Sequence, residues 1–132
     1  MKANELRIGN WVADRGGKMF QIDHWEYKDK VSAKEPEMNT CGMLLRGHPI
    51  TEWVEHLQPI PLTEEWLVKF GFISNPYFDR YEMGVLHIEC DKTKGHLMLW
   101  IEKLPYAMEL KSVHQLQNLF FALTGEELEV KG

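Results

Sequence analysis

Two short helices with both ends specified bracket a stretch of strand pattern, and this arrangement restricts the second half of the chain to a sheet with helices before and after it. In Leu62-Thr63-Glu64-Glu65-Trp66-Leu67-Val68-Lys69-Phe70-Gly71-Phe72, Thr63 is placed as an N-cap, and Glu64 and Glu65 lie at the positive end of the helix dipole. Leu62 can pack on Leu67 as a hydrophobic staple, and Gly71 can take the left-handed conformation that stops a helix. The second helix, 112–125, opens on a capping box of Ser112 and Gln115 and places Val113, Leu116, Leu119, Phe120 and Leu123 on one face. Gly125 is its stop. Between the helices, strands are expected around Tyr77 to Glu82, Val85 to Cys90 and His96 to Glu102, with a fourth candidate at Tyr106 to Leu110. The polar connection Asp91-Lys92-Thr93-Lys94-Gly95 suits an antiparallel hairpin.

The first half has a different texture. Leu6 to Val12 and Lys18 to Tyr27 read as strands joined by the turn-forming Asp14-Arg15-Gly16-Gly17, and Ser32 to Gly47 reads as a protruding loop. Ile50, Trp53, Val54 and Leu57 have helical spacing, but the segment is short and Pro59 is close, so its state stays open. Short strands around Gly9 and Gly16-Gly17 point to a small SH3-like barrel. The expected fold is therefore α+β: a β-rich SH3-like lobe over 1–61, then an α-β-β-β-α lobe over 62–132, the two able to share one core. The tail from Glu126 to Gly132 is acidic and is expected to fray.

A hydrophobic fraction of 44% over 132 residues supports one ordinary domain or two small lobes, without room for separate cofactor and substrate domains. Lys+Arg 15 against Asp+Glu 20 leaves a net charge of −5, which opposes phosphate backbones and anionic lipid surfaces. With only Cys41 and Cys90, no disulfide framework is indicated and a reduced, cytoplasmic setting is expected. The longest apolar run, Leu97 to Ile101, is far short of the roughly 18 to 20 residues that cross a bilayer. Its apolar residues fall on both faces. The strand is thus covered on both sides, or covered on one side and at an interface on the other, which admits a homodimer.

The block Pro59-Ile60-Pro61-Leu62-Thr63-Glu64-Glu65-Trp66-Leu67 with Lys69-Phe70-Gly71-Phe72, and the block from Val113 to Leu119 with Phe121-Ala122-Leu123-Thr124-Gly125-Glu126-Glu127-Leu128, carry a resemblance. Together with the opening Met1 to Val12 they resemble a family of short uncharacterised proteins of gut Bacteroidales and their prophages or other mobile elements. The resemblance implies no chemistry, ligand or catalytic residue.

No metal or nucleotide motif occurs: there is no C-x-x-C, H-E-x-x-H, G-x-S-x-G or P-loop. His87, Cys90 and His96 are the residues around which a small metal protein or enzyme would form. His87 and Cys90 lie at odd separation on one strand, however, and face opposite ways. Cys90 and His96 could meet only if the hairpin set them opposite one another. No cofactor is expected, and the reading is non-catalytic. Trp11, Trp25 and Tyr27 are candidate binding aromatics, because a rigid amphipathic ring supplies contact area at small entropic cost. His114, Gln117 and Asn118 lie off the apolar stripe of the second helix and are expected to share an exposed polar face. The function expected is a protein-interaction or accessory role in a mobile element, with another protein as partner. The alternative is a nucleic-acid-associated module using Arg7, Lys18, Lys28 and Lys30 beside aromatics.

Overall fold

The fold is that of a computed structural model, which describes residues 5–27, 41–47, 52–53, 56–91, 96–103 and 107–131. It is α+β and divides into two compact units, Met1–Ile60 and Pro61–Gly132.

In the first unit β1 (Trp11–Ala13), β2 (Met19–Tyr27), β3 (Cys41–Leu45) and β4 (Glu52–Trp53) form an antiparallel sheet in sequence order. The β1–β2 turn is closed by Asp14, whose Oδ1 accepts from the N–H groups of Gly16 and Lys18, both at 2.9 Å. β2 continues past β1, shifts register between Ile22 and His24, and there pairs with β3. Past β4 the chain returns to β1, where Ala13 and Gln58 exchange both backbone hydrogen bonds. Val12, Phe20, Ile22 and Leu57 are buried.

Two expectations for this unit change, and a segment whose state was open is in part decided. The first strand begins at Trp11 rather than Leu6, because Asn10 turns the chain: its Oδ1 accepts from Arg7 N–H at 2.7 Å, and its own N–H donates to Arg7 C=O at 3.0 Å. Cys41 to Leu45, read as loop, is a strand whose apolar run was masked by its loop-like surroundings. Within the ambiguous segment, Glu52 and Trp53 pair with Met43 and Gly42, so this part is strand, while Ile50 and Val54 lie outside the described residues.

The second unit runs α1 (Glu64–Lys69), β5 (Ile73–Asn75), β6 (Arg80–Met83), β7 (Leu86–Asp91), β8 (His96–Ile101), β9 (Ala107–Leu110) and α2 (Val113–Thr124). Its five strands form an antiparallel meander, where the sequence indicated three with a fourth candidate. Tyr77, Phe78 and Asp79 belong to the β5–β6 turn and not to a strand.

α1 ends in a Schellman motif: Gly71, at φ +94°, donates to Val68 C=O and Phe72 donates to Leu67 C=O, both at 3.0 Å. At its start Thr63 has the extended cap backbone, but its side chain makes no cap hydrogen bond. Trp66 and Phe70 pack with ring centroids 5.6 Å apart, and Lys69 Nζ lies 4.9 Å from the Trp66 ring centroid. α2 is capped as expected by Ser112 Oγ, which accepts from Gln115 N–H at 3.4 Å. Gln115 Oε1 reaches one residue further back, accepting from Lys111 N–H at 2.8 Å.

The tail is a correction. Leu128 is buried, and Lys131 N–H donates to Lys69 C=O at 2.6 Å, so the residues expected to fray are tied to the C-terminal end of α1. The side chain of Lys131 lies over Gly71, where an added Cβ would meet its Cγ at 3.0 Å.

Candidate functional site

Strand pleating sends alternate residues of the second sheet to opposite faces, and register aligns them across all five strands. Leu86, Ile88, Leu97, Leu99 and Leu110 share one face and are buried. The other face carries two cross-strand rows. Ile73, Glu82, His87, Trp100 and Ala107 make the first, and Asn75, Arg80, Glu89, Met98 and Glu109 the second. Among the described residues this second face is open in part, with Ile73 at 74% and Trp100 at 38% exposure and the other members of the two rows half-buried. Leu97 to Ile101 is therefore covered on one side, with Met98 and Trp100 turned to the open face.

Polar contacts hold that face in place. Glu82 Oε1 accepts from Arg80 Nε at 2.6 Å and from Asn75 Nδ2 at 3.1 Å. The hydrogen bonds from Arg80 and then Asn75 hold the Glu82 carboxyl below its usual range. At the other side of the sheet His96 Nδ1 lies 2.7 Å from Glu109 Oε1.

The β5–β6 turn extends the open face into an aromatic tip. Asn75 Oδ1 accepts from Tyr77 N–H at 3.0 Å, forming an Asx turn, and Asp79 closes the loop at φ +50°. The Arg80 guanidinium lies 4.5 Å from the Phe78 ring centroid. Asn75 and Arg80 thus each bond Glu82 and also hold an aromatic residue. Even so, Tyr77 remains 93% exposed and Phe78 62% exposed. Behind the tip, burial raises the Tyr81 phenol above its ordinary range, and the carboxylates of Glu64 and Asp79 push it further the same way.

The sequence-expected site residues are dispersed. Trp11 is half-buried on the face of β1 opposite Val12, beside Gln21 of β2. The side chains of Trp25 and Tyr27, and Lys28 and Lys30 altogether, lie outside the described residues. Arg7 is half-buried, and Lys18 lies 5.7 Å from the Phe20 ring centroid.

The exposed polar face expected on α2 is a correction: His114 and Gln117 are buried and Asn118 is half-buried. At about 100° per residue, Gln117 falls between Val113 and His114 on the helix circumference. The buried arc is centred on Val113, Leu116, Gln117 and Phe120, leaving Leu123 exposed. The helix is rotated toward its polar edge relative to its apolar stripe.

His87, Cys90 and His96 are not brought together either. Cys90 stands opposite Leu97, and His96 opposite Asp91. Cys90, a free and half-buried thiol, falls on the same side as Ile88, whereas His87 and His96 are on the open face. Among the described residues no three His, Cys, Asp or Glu side chains are grouped to hold a metal ion. Likewise among the described residues, no helix is long and apolar enough to cross a membrane.

The tip was missed from the sequence, whereas a second, uncovered side of the Leu97 to Ile101 strand was one of its two alternatives. A usable signal was present in Pro76-Tyr77-Phe78-Asp79, two aromatics set among turn-forming residues where polar ones are usual. No family model, curated protein or solved structure matches this chain.

Proposed function

We propose that this protein is a non-catalytic interaction protein that engages another protein through the β5–β6 tip and the adjoining open sheet face. The observation that carries this reading is the tip itself. Large apolar side chains left in water are ordinarily scattered singly, whereas Tyr77 and Phe78 are adjacent, highly exposed and held by a hydrogen-bonded turn. A pre-ordered aromatic pair loses little conformational entropy on docking, which is the property of an interface anchor.

The role as an accessory protein of a phage or mobile element rests on the resemblance of the Pro59–Phe72 and Val113–Leu128 blocks. A cytoplasmic setting is supported by the free thiol of Cys90. The SH3-like reading of the first unit is supported by the return of Gln58 onto β1 after an antiparallel run of four strands.

The test is capture from nuclease-treated host lysate by wild type and by a Tyr77→Ser, Phe78→Ser double variant whose far-UV circular dichroism matches wild type. A protein retained by the wild type and lost with the variant is the expected result. Equal retention by both would remove the tip from the interface.

A further inference from the structure

We propose that the open face docks a cationic segment of a partner protein, with a lysine or arginine side chain of that partner lying along Trp100 and over Met98, between Glu89 and Glu109. This deepens the protein-interaction reading above and rests on it.

The argument begins with register. Glu89, Met98 and Glu109 are aligned across β7, β8 and β9, while Trp100 stands two residues along β8 with Ala107 directly opposite it. Neighbouring strands are about 4.8 Å apart, which puts the α-carbons of the two glutamates about 10 Å apart with Met98 between them. Ala107 offers only a methyl group, so the β9 side of the indole is bordered by a shallow step and not by a bulky neighbour. The resulting surface has Met98 and Ala107 as apolar ground, the indole rising beside them, and a carboxylate on the strand at either side of Met98. These are the surroundings that suit a long aliphatic stem ending in a cation.

The charge balance of the face favours the same occupant. Arg80 is engaged by Glu82 at 2.6 Å. Among the described residues Glu89 has no ion-pair partner, and Glu109 meets only the imidazole of His96. The excess charge is therefore negative and lies beside Trp100. A nucleic-acid backbone or an acidic protein would be repelled by the same groups.

The test uses the full chain and two fluorescein-labelled decapeptides, one alternating Gly and Arg and the other Gly and Glu, read by fluorescence anisotropy. The arginine peptide is expected to bind and the glutamate peptide not to, with affinity falling as salt rises from about 50 to 200 mM. Trp100→Ala, and separately Glu89→Gln with Glu109→Gln, should each weaken binding by about tenfold. Glu126→Gln with Glu129→Gln removes the same net charge from exposed tail positions and should leave affinity within about twofold. Circular dichroism establishes that each variant is folded. Equal weakening by the tail variant would assign binding to the whole-molecule field and overturn the proposal, as would unchanged binding by Trp100→Ala. A protein captured through Tyr77 and Phe78 but indifferent to Trp100, Glu89 and Glu109 would refute this inference and leave the interaction reading standing. Arginine-peptide binding that follows the expected pattern, with no protein lost from the tip variant, would support docking at Trp100 and remove Tyr77 and Phe78 from the interface.

Discussion

Gly71→Ala tests whether the end of α1 and the docking of the C-terminal tail form one structural device. Gly71 sits at φ +94°, where an L-residue places its Cβ too close to the neighbouring carbonyl, at a cost of roughly 1–2 kcal/mol. The same residue supplies the Schellman bond to Val68, so the strain cannot be relieved without loosening the last turn of the helix. The new methyl would also meet Lys131 Cγ at 3.0 Å, close to where Lys131 N–H bonds Lys69 C=O. Because the contact is with a flexible side chain, most of the cost is backbone strain, and the expected destabilisation is about 1–2 kcal/mol. For a unit of this size that corresponds to a fall in Tm of roughly 5–15 °C, readable by far-UV circular dichroism. Gly17→Ala is the matched control, since it has a similar φ of +83° but open space around its Cβ. If tail docking depends on this glycine, Gly71→Ala should also speed proteolytic removal of the residues after Gly125, while Gly17→Ala should not. A Tm unchanged by Gly71→Ala, or a tail cleaved at the wild-type rate, would refute the account.

Leu128→Ala should cost about 2–4 kcal/mol in urea unfolding, because Leu128 is a buried anchor of a segment that would otherwise be an acidic tail. Asn10→Ala removes the acceptor for Arg7 N–H and should cost about 1–3 kcal/mol by the same assay. Glu82 has a lowered folded-state pKa, so its contribution is present above the ordinary carboxylate value and is lost as pH falls through the folded value. Acid titration of the β5–β6 hairpin amides by NMR should show that loss in the wild type and not in Glu82→Gln. Trp100→Ala and Tyr77→Ser should each shift stability by less than about 0.5 kcal/mol while weakening partner binding, since neither side chain belongs to the core. A large loss of stability in either variant would assign it a structural role.

Helix ends were the most legible feature, because a cap and a stop are decided within a few residues. Ser112 bonds Gln115 and Gly125 takes φ +74°, as their sequence positions require. Even here the chemistry was finer than the pattern. Thr63 adopts the cap backbone without a cap bond, and the Gln115 side chain accepts from the N–H of Lys111 rather than from that of Ser112. Turn and strand were harder to separate where turn residues are aromatic, as at Tyr77 and Phe78, or where a strand lies in loop-like surroundings, as at Cys41 to Leu45.

Local sequence determined the α+β class, the positions and ends of both helices, and the alternation that gives the second sheet two unlike faces, since capping and a two-residue pleat act over a few bonds. It could not determine which arc of α2 would be buried. Apolar residues cover a wide arc of that helix, and the rotation that buries His114 and Gln117 depends on what surrounds it. Nor could it place Lys131 against Lys69 and Gly71, set His96 opposite Asp91, or bring Glu89 and Glu109 to either side of Met98. Apart from Asp91 and His96, which flank one hairpin, these juxtapositions join residues well separated in the chain. Strand register and tertiary packing bring them together, and the Glu89–Met98–Glu109 row of the candidate site depends on that register, whereas the Tyr77–Phe78 tip is held by contacts local in the chain.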